Sequence, residues 1–284
     1  MNTKNDKGTI ILAIIKYLLM VLYAIFLIMP VIYAFSSAFR PASEIFKYSA
    51  PFSYRTLIPE KLTLESFRSL FFDYNFLKPL MNTVSVCLIT VVLGILLNAM
   101  AGFAFAKIDF KGKEWMFTLV IITMIIPFEA IAIPLYSLIY NIKLVNTRTA
   151  LILPAVANGT YIFLFKNAYE DIPHSLYEAG IVEGASRFKV FRSLYLPLSK
   201  PIMVSAGLLI FFYQWQSYMW PLLAANAPNV QVIQIAQSVF QQEYGTLWGE
   251  IFASIIITIA VPLLFFLPLQ KYYTIGISTS GMKE

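Results

Sequence analysis

Residues 80–106 read LMNTVSVCLITVVLGILLNAMAGFAFA, an uncharged run bounded by Lys78 and Lys107. About 20 helical residues cross the ~30 Å hydrocarbon layer of a bilayer, so this run is long enough to span it. Working outward from it, comparable runs occur near 10–36, 115–140, 149–168, 202–225 and 250–270. The run at 149–168 is interrupted by Pro154, Asn158 and Gly159. The pattern predicts an all-α integral membrane protein with six transmembrane helices. A short N-terminal segment, 1–8, precedes a single transmembrane domain, 9–284. The first run follows Lys4 and Lys7. It exceeds the roughly 7–15 apolar residues of a secretory signal, which marks it as a retained anchor.

Composition points the same way. Residues of the AVILMFWYC set make up 59% of the 284 residues and charged residues 13%. A water-exposed surface needs roughly 25–35% charged residues, so a soluble globular enzyme is excluded. The net charge of +6 comes from Lys and Arg that lie between the apolar runs rather than in one block. They read as topogenic charge, and nucleic acid is not an expected partner. Thirteen of the 21, among them Lys4, Lys107, Lys111, Lys166, Arg187 and Lys271, fall on one side of the six runs, and eight on the other. Both termini and segment 169–201 are therefore expected in the cytoplasm, with 41–79, 141–148 and 226–249 outside. The single Cys87 excludes an intrachain disulfide, and the single His174 leaves little room for a histidine metal cluster or a serine triad. Neither G-x-x-x-x-G-K-[ST] nor G-x-G-x-x-G occurs, so no nucleotide loop is recognisable.

Between the fourth and fifth runs lies DIPHSLYEAGIVEGASRFKVFRSLYLPLSKP, residues 171–201. Ile181, Ala185, Phe188, Phe191 and Tyr195 recur as one helical stripe. Glu183 and Arg187 have the spacing of an i,i+4 pair, and Ser175 with Glu178 has that of a capping box. Gly184 inside the periodic run marks a bend or a close backbone contact, and Pro197 and Pro201 stop the pattern. A short amphipathic helix or helix pair is expected. Periodicity alone leaves three fates open to it: the lipid interface, the protein's own helices, or a partner.

The same residues carry a family resemblance. Glu178-Ala179-Gly180, three residues, Gly184, nine residues, then Leu194-Tyr195-Leu196-Pro197 resemble the E-A-A-x₃-G-x₉-I-x-L-P loop of ABC importer permeases. Gly180 replaces the second Ala of that pattern and Leu194 its Ile. The chain is also similar to the carbohydrate-uptake permeases of the maltose-transporter type, in particular the second, shorter subunit of the pair. The residues that carry this are Asn82-Thr83, Ala101 to Lys107, Ile126-Pro127, Ile133 to Tyr136, Leu144 to Thr147, Trp215 to Leu222 and Gln270 to Tyr273, with Gly276, Gly281 and Lys283. Gln216 and Ser217 depart from the family's W-N-[DE]-F-x-W-P-L. The match covers nearly the whole chain, most specifically 78–283.

The resemblance implies a type I ABC importer permease fold whose region 174–197 is a cytoplasmic coupling helix seated on an ATP-hydrolysing subunit. Carried over by position, Glu178 pairs with a basic residue of that ATPase, and Ala179 and Gly180 permit close approach. Gly184 allows the bend and Phe188 fills an apolar floor, with Ala185, Leu196 and Pro197 completing the set. The implied partners are a homologous permease subunit, two copies of the ATPase, an extracytoplasmic solute-binding protein, a sugar and membrane lipid. The chain itself would be no enzyme and bind no cofactor, with ATP and Mg held by the ATPase subunits. The implied location is the bacterial cytoplasmic (inner) membrane.

Polar side chains at membrane depth are functional candidates by default. Gln214, Trp215, Gln216, Tyr218 and Trp220 could line a sugar pathway, with amides for hydroxyls and aromatic faces for pyranose rings. The same groups also suit helix-to-helix hydrogen bonds or interfacial anchors, and Asn98 and Asn158 suit helix packing. Glu129 is expected to be locally paired or to face a cavity. Segment 226–249, with Glu243 and Tyr244, is implied to reach toward the binding protein. Alternatives are a glycerol-phosphate or polyol permease and, from another class, an ion-coupled secondary transporter. The lone mid-span carboxylate argues against the latter.

Overall fold

Prolines and capping side chains decide where the apolar runs stay straight and where they break. The computed structural model describes residues 4–49, 51, 53–238, 240–242 and 245–281. In chain order the helices are α1 (Lys4–Ala38), α2 (Glu65–Phe72), α3 (Leu77–Lys107), α4 (Lys113–Ile125), α5 (Phe128–Asn141), α6 (Arg148–Ile152) and α7 (Gly159–Glu170). They continue as α8 (His174–Val182), α9 (Arg187–Val190), α10 (Leu196–Leu198), α11 (Lys200–Trp215), α12 (Met219–Ala224), α13 (Ile233–Ser238) and α14 (Trp248–Gly281). A two-residue hairpin pairs β1 (Gln241–Gln242) antiparallel with β2 (Gly245–Thr246).

Segments Gly8–Ala38, Leu77–Lys107 and Trp248–Lys271 are long and apolar enough to cross a membrane unbroken. Three bent helix pairs raise the count to as many as six by length and composition. The run at 115–140, expected as one span, is α4 and α5 with a 107° bend between them. Pro127 lacks an N–H and forces Ile126 out of the helical region, to ψ 118°. The run at 149–168 bends by 43° after Ala155, and Asn158 restarts the helix by accepting from the Thr160 N–H at 2.9 Å. The run at 202–225 also divides: α11 ends at Trp215 and α12 starts at Met219. Apolar residues flank Pro127 on both sides, so composition alone merges α4 and α5.

Contacts divide the chain into two units. The first comprises residues 1–75 and 237–260. Its α1 is exposed along its apolar length from Thr9 to Ile32. Its core forms around Arg40, only 1% exposed, whose guanidinium donates to Ser36 O at 3.3 Å and Thr56 O at 2.9 Å and also meets Ser36 Oγ. Edge-to-face ring pairs Tyr33 with Phe252, Phe46 with Trp248 and Tyr74 with Phe240 close the unit. On its surface, the Tyr48 hydroxyl bond, aided by Arg55 at 2.8 Å, holds the Glu60 carboxyl below the usual range.

The second unit comprises residues 76–236 and 261–284. Here α3 is the central helix and packs on α7 and α11. The approach of α3 to α7 depends on Gly102, where a Cβ would lie 2.6 Å from Phe165 Cβ and 2.8 Å from the Lys166 N. Ala99, Phe103, Phe165, Tyr169, Phe191 and Tyr195 form an apolar cluster at the Lys107 end of α3. At the other end, Asn82 Nδ2 donates to Gln231 O at 2.9 Å and Asn229 O at 3.2 Å, while Arg148 donates to Asn82 Oδ1 at 2.7 Å. Thr83 Oγ1 accepts from the Ile233 N–H at 2.8 Å. The Asn82-Thr83 pair thus pins the returning segment 229–233 to α3.

The α3–α7 approach generates the first expectation. Gly102→Ala forces the two backbones apart and lowers the midpoint of thermal unfolding in detergent, for a cost of about 1–3 kcal/mol. Gly8→Ala, whose Cβ meets nothing within 4 Å, serves as the control. Equal midpoints for the two variants would contradict this packing.

Candidate functional site

Segment 171–201 folds as a helix pair, not as one helix with a continuous stripe. Pro173 occupies the N-cap of α8, so Ser175 lies inside the first turn and the expected capping box does not form. The Glu178 carboxylate is exposed and lies 3.8 Å from His174 Nε2. α8 stops where Gly184 turns to φ +80°. The Gly184 N–H bonds to Ile181 O and the Ala185 N–H to Gly180 O, each at 3.0 Å. The left-handed conformation, free for glycine and costly for other residues, is the physical reason for Gly184. This turn separates Glu183 from Arg187, and they form no ion pair. Ser186 then caps α9 through the Lys189 N–H at 3.2 Å.

The turn also divides the expected stripe. Ala185, Phe191 and Tyr195 pack into the apolar cluster beside α3, whereas Ile181 and Phe188 face out, Phe188 at 59% exposure. Val182, which periodicity did not single out, is 87% exposed. Ala179 is exposed beside Glu178, Leu196 packs partly against the cluster, and Pro197 is exposed. Gly180 approaches the protein's own chain: a Cβ there would lie 2.9 Å from Val190 Cγ2. The glycine that departs from the family pattern thus sits where α8 approaches Val190 closely. Lys107, 5% exposed, donates from Nζ to Ile172 O at 2.6 Å, tying the end of α3 to the residue two before α8.

A second feature lies where the three broken runs converge. A cavity of about 600 Å³ opens between the α4–α5, α6–α7 and α11–α12 breaks, and Thr90 of α3 contributes to its wall. Its walls carry Gln214, Gln216, Ser217, Tyr218 and Trp220 and no charged residue. Trp215, expected among them, is not in the wall. It is 3% exposed, stacks on Phe211 at 5.6 Å, and its carbonyl accepts from Gln234 Nε2.

Gln214 and Trp220 border the cavity, but their polar groups are already engaged. Gln214 Nε2 donates to Leu151 O at 3.3 Å and Trp220 Nε1 to Ala150 O at 2.9 Å. Asn98 donates to Val156 O at 2.8 Å and accepts from the Asn158 N–H at 3.0 Å. Three side chains from neighbouring helices therefore engage backbone at Ala150, Leu151, Val156 and Asn158 around the α6–α7 break. Gln216 and Tyr218 remain exposed. Glu129 is exposed in the first turn of α5, with no ion-pair partner among the described residues, and it does not border the cavity. Glu243 and Tyr244 lie outside the described residues.

The chain matches the family described as binding-protein-dependent transport system inner membrane component over residues 90–274. It is 30% identical over 259 residues to the arabinooligosaccharides transport system permease protein of Halalkalibacterium halodurans, covering 90% of this chain and 91% of that one. It is 27% identical over 273 residues to the sn-glycerol-3-phosphate transport system permease protein of Brucella melitensis, covering 93% and 95%. Among solved structures it superposes with a TM-score of 0.83 on a chain of a bacterial ABC transporter that imports the acidic polysaccharide alginate. That match covers 96% of this chain and 99% of the other at 20% identity, and it shows the shared type I importer permease fold.

The helix-pair geometry sets two outcomes. Gly180→Ala lowers stability through the Val190 contact, and adding Val190→Ala restores much of it. At Gly184, Asn is tolerated and Val costs about 1–2 kcal/mol, because Asn adopts the left-handed region far more readily. Thermal melts of the purified importer check both. Full stability of Gly180→Ala, or equal stability of the two Gly184 variants, would contradict the geometry.

Proposed function

Because this chain belongs to the binding-protein-dependent transport system inner membrane component family, we propose that it is a transmembrane permease subunit of an ATP-driven sugar or oligosaccharide importer. It works by alternating access with a homologous permease subunit. Two ATPase subunits hold ATP and Mg and carry the hydrolysis. A solute-binding protein delivers substrate on the outer side, and both termini of this chain lie in the cytoplasm, following the asymmetry of Lys and Arg. The chain is multi-pass in the inner membrane.

The observation that carries this reading is the exposed apolar face of the α8–α9 pair, where Val182 is 87% and Phe188 59% exposed. In this reading the pair, between α7 and α11, stands on the cytoplasmic side of the membrane, as the asymmetry of Lys and Arg supports. An exposed apolar face in water is a docking surface. Glu178 adds a carboxylate for a basic partner group, and Ala179 leaves room for close approach. Phe188 enters the partner's apolar floor. Gly184, Ala185, Leu196 and Pro197 hold the pair in shape through the turn and the cluster behind it. Closure of the ATPases then moves this pair as a rigid body, and Lys107 and the aromatic cluster pass the movement to α3. Gln216 and Tyr218 face the pathway that opens and closes.

The test uses the assembled importer in proteoliposomes. Glu178→Lys and Val182→Asp change exposed side chains, so folding and membrane insertion persist. Sugar uptake and the ATPase stimulation by loaded binding protein both fall to background. Full uptake with normal stimulation in both variants would sink the docking assignment.

A further inference from the structure

The charged residues of segment 171–201 are sorted by sign. Asp171, Glu178 and Glu183 lie before Gly184 with no Lys or Arg among them, and Arg187, Lys189, Arg192 and Lys200 follow it with no Asp or Glu. The turn at Gly184 that ends α8 is therefore also the boundary between an acidic limb and a basic one. Glu178, Glu183 and all four cations are exposed. None of the four cations has an ion-pair partner among the described residues, and Glu178 meets only His174, at 3.8 Å. Topogenic charge accounts for the cations alone, because carboxylates contribute little to orientation. It gives no reason for opposite signs to occupy opposite sides of one turn.

The spacing of the limbs restricts what receives them. A Cβ at Gly180 of α8 would lie 2.9 Å from Val190 Cγ2 of α9, so the two helices touch. Glu183 and Arg187 are four residues apart, within about 14 Å by any path of the chain. That distance is little more than a Debye length, roughly 8 Å in physiological salt. An anionic leaflet attracts the basic limb and repels Glu178 and Glu183 with the same field. A protein surface carries both signs at that spacing. Phe188 stands between Arg187 and Lys189 in sequence and is 59% exposed, and Val182, beside Glu183, is 87% exposed. Each limb thus joins charge to apolar surface, the composition of an interface core with its polar rim.

We propose that the ATPase subunit presents two rims of opposite sign to this pair, an acidic rim that receives Arg187 and Lys189 and a basic rim that receives Glu178 and Glu183, and that the two together fix the orientation in which the pair docks. This rests on the importer reading above and adds the acidic rim and the orientation to it. Docking in the reversed sense sets like charges against each other on both sides, which rejects it. Val182 and Phe188 contribute apolar burial in either sense, and burial of that kind is non-directional, so the choice of orientation falls to the charges.

The experiment couples carboxylates to lysine amines in the assembled importer with a water-soluble carbodiimide and maps the products by mass spectrometry. Lys189 joins an Asp or Glu of the ATPase subunit, and Lys189→Arg, which keeps the charge without the amine, removes that product. Dilution of the assembled importer gives the energetic readout. When Arg187→Gln and Lys189→Gln are combined, the concentration at which half the ATPase dissociates rises about tenfold, the scale of two exposed ion pairs, and added salt shrinks the difference. The charge exchange Glu178→Lys with Lys189→Glu conserves net charge, yet its ATPase dissociates at least as readily as that of the glutamine variant. Wild-type dissociation of the charge exchange would overturn the orientation. Absence of an ATPase product at Lys189, together with wild-type dissociation of the glutamine variant, would overturn the acidic rim and leave the importer reading to the Glu178 and Val182 variants above. A difference seen in phosphatidylglycerol vesicles and lost in phosphatidylcholine vesicles would assign the basic limb to lipid headgroups and overturn the proposal. A lowered thermal midpoint of the glutamine variant would assign Arg187 and Lys189 to packing and overturn their docking role.

Discussion

A polypeptide that breaks its helix inside a membrane must find partners for the backbone groups it frees, because the hydrocarbon offers none. In this chain the α6–α7 break frees groups at Ala150, Leu151, Val156 and Asn158, and side chains from α3, α11 and α12 take each of them. Asn98 is the most heavily used. It bonds Gly94 O on its own helix at 2.6 Å as well as both sides of the break. Because these bonds let α6 and α7 part company, a cavity exists where a continuous helix would have filled the space. The polar residues of the fifth run thus fall into two groups. Gln214 and Trp220 hold backbone, while Gln216 and Tyr218 face open space.

The two ends of the second unit are organised in the same manner, by side chains that grip backbone. Asn82 and Thr83 hold segment 229–233 at one end, and Lys107 holds Ile172 at the other. Between these grips α3 is an unbroken helix of 31 residues, and Gly102 lets α7 lie directly against it. α3 is therefore one continuous element from the neighbourhood of the α8–α9 pair to the level of the cavity. The apolar cluster of Phe103, Tyr169, Phe191 and Tyr195 fills the space behind the pair.

Much of this architecture was visible in the residues. The run 80–106 lies inside α3, and Pro154, Asn158 and Gly159 mark the α6–α7 break that they interrupt in sequence. Gly184 marked a bend, and the structure gives its cause in a positive φ. Other features are hidden from a linear reading. Apolar residues continue on both sides of Pro127, so a window of about 20 residues merges helices that the backbone separates. Ser175 and Glu178 have the spacing of a capping box, but Pro173 starts the helix first. Trp215 looked like a sugar platform beside Gln216, yet the face it occupies on α11 turns it toward Phe211.

The dependence of the break on its side-chain clamp is tested most directly by hydrogen–deuterium exchange of the Asn158 amide in the assembled importer, comparing wild type with Asn98→Leu. That N–H donates to Asn98 Oδ1 at 3.0 Å, at the centre of the break. Exchange is expected to be slow in wild type and faster by more than tenfold in Asn98→Leu, with amides in the middle of α3 unchanged. Equal protection of Asn158 in both proteins would show that the break does not depend on this clamp.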